Sequence, residues 1–543
     1  MPTLHTPEKP PLVGRIARPL ACLAAAAVFL HAILAFRVPD KAMTALVAFG
    51  ALNHERYLPE LKAADHVEIP HSQGYDGQWY AEIAMHPRID AALGRSVDAL
   101  PYRGRRILFE WTAWLAGGGN PERALRAYAV QNIACWFLLG LLLLRWFPAR
   151  SWGNVLRWAA VLFSFGLIFS VTRALLDGPG LLLIAAGMAL LESGRPWAAA
   201  AVMGIGGLGK EIDVIGAAAL QPGSGRGPRR WSTWAVQVVV AVLPLALWAA
   251  CVRSWAGTYE NLGARNFSVP FAGLGDKLAS TVSGLVANGG GFPTIAELDA
   301  LVLVGLLAQF SFFAFRIRWR EAWWRVGAGF AALLPFLGDS VWQDTPSAAA
   351  RVLLPMTLAF NVLVPGGARW LPLLVIGNLG ILATPELLRA PNRVPESYVV
   401  EGPRALRLNP RTGHEVDVSF GAENWWKPEG DTTDFWRWSR GDGIVTVRNP
   451  QPFAVVADIT FGLATPVERR ASVSIGGRPA WRGVVKPSMD NPEEIRGVRL
   501  APGDTVLLFR SDDPAAVAGP SDTRLITFSV RDLTVRLTGR PPL

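Results

Sequence analysis

The feature that most limits what this chain can fold into is a succession of apolar runs across its first 390 residues, broken by short arginine-rich stretches. A transmembrane helix needs about 20 mostly apolar residues. Candidate spans lie at 17–36, 123–147, 153–172, 178–192, 196–220, 231–252, 299–316, 323–338, 350–365 and 367–385. The fold class this predicts is a polytopic α-helical membrane protein of about ten spans, followed by a C-terminal extracytoplasmic β-sandwich domain. The expected domains are residues 1–390, the membrane region, and 391–543, the soluble one.

The net charge of +10 sits largely in short loops between apolar runs. There it sets helix orientation, because Lys and Arg stay on the cytoplasmic side. That use of the charge argues against nucleic acid as a partner. The first run, Leu20 to Phe36, follows Arg15 and Arg18 and precedes Arg37. It reads as a retained signal-anchor helix, with cleavage as the lesser reading. Basic loops at 145–157, 222–230, 316–325 and 366–369 belong inside, which leaves 37–122, 253–298 and 339–349 outside. This holds together if 196–220 enters from the cytoplasm and returns, as two half-helices meeting at Lys210-Glu211. The expected location is the cell inner (plasma) membrane, multi-pass, with the C-terminal domain periplasmic. The three cysteines, Cys22, Cys135 and Cys251, all fall in apolar runs and imply no disulfide framework.

After about residue 395 the hydrophobic period changes to two. Alternation at 416–420, 444–447, 454–461, 471–475, 506–509 and 525–530, with turn residues between, predicts a β-sandwich. Trp425, Trp426, Trp436 and Trp438 stand out there. Trp436 and Trp438 are two apart and share a strand face. Exposed, these rings would stack on sugars; facing inward, they would be core.

The first outer loop, 37–122, holds the stretch Gly74-Tyr75-Asp76-Gly77-Gln78-Trp79-Tyr80-Ala81-Glu82-Ile83-Ala84. Asp76-Gly77 marks a turn, and Trp79, Tyr80, Ile83 and Ala84 recur at helical spacing. This predicts an interfacial helix with Trp79 and Tyr80 at headgroup depth and Asp76 as its N-cap.

Tyr75-Asp76-Gly77-Gln78-Trp79-Tyr80 with Ile83-Ala84 resembles the first-loop motif of GT-C membrane glycosyltransferases, in the D-G-x-W/F-Y-x-x-I-A form of bacterial relatives of the GPI mannosyltransferases. Tyr102-Arg103-Gly104-Arg105-Arg106-Ile107-Leu108 resembles a second piece of such proteins, Y-R-x-x-R-I-L. The layout agrees: many spans, a large first loop, a soluble outer domain. The resemblance implies an inverting transferase, a hexosyltransferase, moving a sugar from a polyprenyl-phosphate donor to an extracytoplasmic glycan, lipid or protein acceptor. It implies Asp76 as the catalytic acid of that loop, with Tyr75, Gly77, Trp79 and Tyr80 in support. The absence of G-x-G-x-x-G or P-loop patterns in a strand–helix context agrees.

An acceptor hydroxyl needs a positioned base, and Asp76 is the best placed carboxylate. An anionic lipid phosphate leaving group needs cations near the membrane surface. Arg105, Arg106, Arg173 and Arg351 are candidates, since the guanidinium fork grips phosphate oxygens; each could instead anchor lipid headgroups. Lys210 could also bind donor phosphate with Glu211 as its partner, because intramembrane charges cost about 2.5–3.5 kcal/mol each and mark sites. The alternative is a Lys210–Glu211 pair that only holds the half-helices together. Asp177 reads as a cap for the following span. A second carboxylate near Asp76 would offer hard oxygens to a divalent metal, Mg or Mn, and the resemblance leaves metal open. His5, His71 and His86 show no ligand spacing. A lipid-linked sugar transporter or flippase, and a non-catalytic envelope-assembly scaffold, are the other function classes this layout admits.

Overall fold

Proline and glycine mark several of the places where the apolar runs break, while Pro19 and Pro244 lie inside continuous helices. The computed structural model describes residues 12–38, 41–69, 72–222, 229–257, 266–287, 295–342, 347–388, 398–407, 409, 416–421, 423–430, 435–487, 492–519 and 522–541. The chain divides into two compact units, Met1–Ala390 and Pro391–Leu543.

Among the described residues of the first unit, four helices are long and apolar enough to cross a membrane: Ile16–Leu34, Pro121–Leu143, Arg229–Ala256 and Ala296–Phe315. Two bent pairs raise this to six if each is one span: Trp152–Leu162 with Phe165–Thr172 at 44°, and Ala368–Ile376 with Leu379–Leu388 at 46°. Continuous helices therefore account for fewer spans than the ten apolar runs. Helix Asp177–Glu192 has 16 residues and opens on Asp-Gly-Pro-Gly. Helix Ala322–Ala331 gives way to a 3₁₀ turn, Leu334–Phe336, that contains Pro335. Ser347–Val352 and Leu354–Leu363 are separate helices, the second carrying Pro355 in its first turn. Proline lacks an N–H and its ring clashes with the preceding turn, so each such position ends or offsets a helix.

The run 196–220 is also broken. Helix Pro196–Gly209 stops at Lys210, whose backbone is extended (φ −157°, ψ 128°), and the chain continues as the 3₁₀ helix Glu211–Ala219. Its last carbonyls are capped by Arg325, which donates from Nε to Ala218 O at 2.7 Å and from Nη2 to Ala219 O.

Residues 41–69 and 72–122 form a packed structure. Strand Phe49–Gly50 pairs in parallel with Glu68–Ile69. The short helices Gly77–Met85, Ala91–Ser96, Leu100–Arg103 and Leu108–Ala116 follow. The helix Gly77–Met85 is not interfacial: all nine of its residues are buried. It is buried on every side, Gln78 and Glu82 included, and packs against Leu108–Ala116 and Pro121–Leu143. Gly77 makes the approach possible. A Cβ there would lie 2.2 Å from Arg173 O and 2.9 Å from Val47 O. Buried Gln78 pins the segment: its Oε1 accepts from Gly50 N (3.1 Å) and Tyr57 Oη (2.8 Å), and its Nε2 donates to Gln73 O (2.8 Å).

In the second unit Ala516–Gly519 pairs with Asp522–Ile526 as a separate two-stranded sheet, and two mostly antiparallel sheets enclose one core. One runs, edge to edge, Arg478–Val485, Arg469–Ile475, Gly503–Ser511, Gly443–Asn449, Asp417–Phe420. The other runs Pro492–Leu500, Val455–Ala464, Ser529–Gly539, Phe435–Ser439, Trp425–Gly430, with Val399–Glu401 alongside Ser529–Gly539 in parallel. Val445, Val447, Leu507 and Phe509 from one sheet meet Ile459, Phe461, Val530 and Val535 from the other in a single buried cluster.

Two substitutions test this packing. Gly77→Ala meets backbone carbonyls that cannot yield, and overpacking of this kind costs about 1–3 kcal/mol; a lowered thermal midpoint of the detergent-purified chain is expected. Trp425→Ala empties a core position, for which about 3–5 kcal/mol is the usual loss; denaturant unfolding of the full chain should show it.

Candidate functional site

Lys210 and Glu211, adjacent and oppositely charged, do not pair with each other. Lys210 Nζ is bound to Asp177 Oδ1, and Glu211 Oε2 accepts from Arg106 Nε at 2.7 Å. The expected Lys210–Glu211 pairing is corrected here: the extended backbone at Lys210 lets the two side chains find separate partners. Asp177 does not cap its helix by a side-chain hydrogen bond. It bridges, because its Oδ2 also accepts from Arg351 Nη1 at 3.0 Å. Arg351 Nη2 then donates to Tyr75 Oη at 3.2 Å. From the other neighbour, Arg106 reaches Tyr80 Oη and Tyr102 Oη at 2.5 Å each and lies over both rings. Two polar chains thus run from the break to the motif: Lys210–Asp177–Arg351–Tyr75 and Glu211–Arg106–Tyr80.

Asp76 stands between the ends of these chains. It precedes the helix Gly77–Met85 with helical backbone angles and makes no capping bond, so the N-cap expectation is not met. Its Oδ1 instead accepts from Arg103 Nη2 at 3.0 Å, while 43% of its side chain is exposed. Arg103 is held in turn by Asp98, through Nε and through Nη2 at 3.2 Å. Burial pushes the Asp76 carboxyl up, and Arg103, then Arg351 and Arg106, outweigh it, leaving the group below the usual carboxylate range. It is an anion at neutral pH.

The remaining cations differ in kind. Arg173 lies over the ring of Phe169 at 5.7 Å, and Arg351 lies over the same ring at 5.6 Å. Arg173 Nη1 donates to Thr172 O at 2.9 Å. Among the described residues Arg173 has no acidic partner, and the Arg105 side chain makes no hydrogen bond or ion pair. The five nominated cations therefore divide into three that are ion-paired, Arg106 with Glu211 and Lys210 and Arg351 sharing the one carboxylate of Asp177, and two that are not, Arg105 and Arg173. Trp79 and Tyr80 are buried, Trp79 under the guanidinium of Arg56 at 5.7 Å.

Four groups were missed by reading the sequence. Arg103 was inside the quoted Tyr102–Leu108 stretch, with Asp98 five residues before it. Glu110 is fully buried, neither carboxylate oxygen has a hydrogen-bond partner, and burial holds its carboxyl well above the usual range. Glu82 accepts from Leu58 N at 2.9 Å through Oε2 only, and burial pushes it up to about 7. Asp213 is buried with Oδ2 unpartnered, and that oxygen lies 2.1 Å from where a Cβ on Gly180 would be.

The donor set near Asp76 does not suit a metal. Both oxygens of Asp177 are taken by cations. No cluster of three or more His, Cys, Asp or Glu able to hold a metal occurs among the described residues. His86 bonds Asp90 at 2.8 Å, and His5 and His71 lie outside the described residues.

The nominated tryptophans of the second unit separate. Trp425 is core: its ring meets Phe420 and Phe528 edge-on, its Nε1 donates to Ile444 O at 2.9 Å, and Gly443 gives it room. A glycan-stacking role for Trp425 is therefore corrected. Trp426, Trp436 and Trp438 are half-buried. Trp426 lies under Arg440 and Arg524, and Trp436 under Arg531, with its Nε1 on Glu429 Oε2 at 3.2 Å.

No protein-family model matches the sequence, and no curated protein matches it. Among solved structures, the cryo-EM structure of arabinosyltransferase EmbB from Mycobacterium smegmatis is similar at 10% identity and a TM-score of 0.29. The comparison covers 94% of this chain and 64% of that one, so the chain spans less than two thirds of its length.

A pH test follows from Glu82. Its folded-state value of about 7 lies above the ordinary carboxylate value. The folded state keeps a proton that the unfolded chain gives up, so stability falls as pH rises from about 4.3 towards 7 and then levels off. Glu82→Gln should flatten that part of the midpoint-against-pH curve.

Proposed function

We propose that the chain is a membrane glycosyltransferase that uses Asp76 as a base and a lipid-linked phosphate sugar as donor. The observation that carries this reading is an ionised, half-exposed carboxylate held by Arg103 and lying in the field of Arg351 and Arg106. Arg105 belongs to the same loop and the backbone of Arg173 packs on Gly77, and neither arginine has an acidic partner among the described residues. A base with cations around it suits an acceptor hydroxyl and a phosphate leaving group.

In this reading Asp76 takes the acceptor hydroxyl proton as the oxygen attacks the anomeric carbon. The bond from that carbon to the phosphate oxygen breaks, and the polyprenyl phosphate leaves with the electron pair. One displacement inverts the anomeric centre. Arg173 and Arg105 receive the phosphate. Lys210, Arg351 and Arg106 hold Tyr75 and Tyr80, which frame Asp76. The acceptor is an extracytoplasmic glycan, lipid or protein, and the β-sandwich faces the same compartment, with Trp438 the nominated ring that no guanidinium covers among the described residues.

Purified protein should transfer sugar from a member of a polyprenyl-phosphate sugar panel. Asp76→Asn should lower kcat by about 10²–10⁴, the range for loss of a positioned base, with donor binding kept. Arg173→Gln should weaken donor binding roughly tenfold, about 1.4 kcal/mol. Unchanged transfer by Asp76→Asn would remove the base assignment. A second profile separates its surroundings: Arg103→Gln removes the cation that lowers Asp76, so the acidic limb of the rate should move to higher pH.

A further inference from the structure

The helix Ala272–Ala287 lies in a stretch the charge pattern assigns to water outside the membrane. Its surface divides into three. Successive residues turn by about 100°. Leu274, Lys277 and Thr281 form a buried edge, with Gly273 and Gly284 on the same side. Asp276, Ser280 and Ser283 form an exposed polar face. Between them runs an exposed apolar stripe, Leu278, Val282, Leu285 and Val286, in which Val282 is 57% and Val286 83% exposed. The chain entering the helix continues the stripe with exposed Phe267, Val269 and Phe271.

The buried edge fixes where this stripe is. A Cβ on Gly284 would touch Ala296 Cβ at 2.9 Å, at the start of the candidate span Ala296–Phe315. Lys277 pairs with Asp299 of the same helix. At the other end the ring of Phe271 meets Phe310 edge-on at 6.5 Å, far along that span. Gly273 packs on Leu337 O and the ring of Trp342. The helix therefore runs alongside the candidate span rather than out from its end.

We infer that the stripe Leu278, Val282, Leu285 and Val286, with Phe267, Val269 and Phe271, is a lipid-contact surface, and that this helix is seated in the bilayer. A stripe of large apolar residues beside a candidate span, flanked by a polar face, suits a helix with one side on lipid and the other on water. Water would leave seven apolar side chains exposed with nothing to offset them. The helix also touches Asp339–Trp342, which packs against Ser347–Val352, the helix that carries Arg351. It thus sets the local lipid boundary two elements from the candidate site. The inference does not depend on the chemistry proposed there.

The test is site-directed spin labelling in lipid nanodiscs, with Cys22, Cys135 and Cys251 replaced and single cysteines placed from 275 to 286. Collision with oxygen, which concentrates in lipid, should exceed collision with a water-soluble nickel chelate at 278, 282, 285 and 286. The order should invert at 276, 280 and 283. Nickel in excess at 282, or both reagents excluded there, would overturn the inference in favour of water or of a covering protein surface. A photoreactive amino acid at 282 in the natural cysteine background gives an independent reading by mass spectrometry. Lipid adducts support the assignment; protein adducts, or none, reject it.

Discussion

Two neighbouring charges of opposite sign, placed where an apolar segment breaks, organise the first unit. Each would cost several kcal/mol unpaired in a low-dielectric setting. An obvious relief is for Lys210 and Glu211 to neutralise each other. The chain sends them apart instead, Lys210 to Asp177 and Glu211 to Arg106. Each partner is then free to bind again further out, and the result is two polar struts that end on Tyr75 and Tyr80. The motif helix is supported from the break below it, while Gly77 and Gln78 fix its place against the neighbouring backbone. The rigidity of the loop around Asp76 is thus inseparable from the broken segment.

What was legible in the sequence was what depends on local pattern. Apolar runs, the interruption at Lys210 and the change to a two-residue period near 395 are all features of short windows, and the structure shows a break at Lys210 and strands over the alternating stretches. Arg478–Val485 and Pro492–Leu500 were not visible. Both are sheet edges, exposed along most of their length, so they carry little apolar alternation. The count of about ten spans is not shown by continuous helices for a related reason: an apolar run reports burial in something greasy, and a proline-broken piece packed inside protein satisfies that as well as a span does.

The candidate site was less legible because its contacts join residues far apart in sequence. Nothing in spacing says that position 177 will meet both 210 and 351, or that Arg106 will meet Glu211. Nearest-neighbour pairing was the natural reading of Lys210-Glu211, and geometry overrode it. The helix 77–85 misled in another way. Its Trp and Tyr suggested an interface, yet these residues are equally at home where a hydroxyl and a ring must both be buried, as Tyr80 is beneath two guanidiniums. Trp425 and Trp426 show how a single residue step decides between core and surface on a strand.

The carboxylate of Asp213 fills the space that any side chain at Gly180 would need. Two positions 33 residues apart are therefore coupled in volume: a side chain at 180 requires the acid at 213 to move aside. Alanine at 180 displaces the Asp213 carboxylate from its buried place, and shortening position 213 removes that conflict. Substitutions at the pair are therefore epistatic, the cost of each set by what already stands at the other.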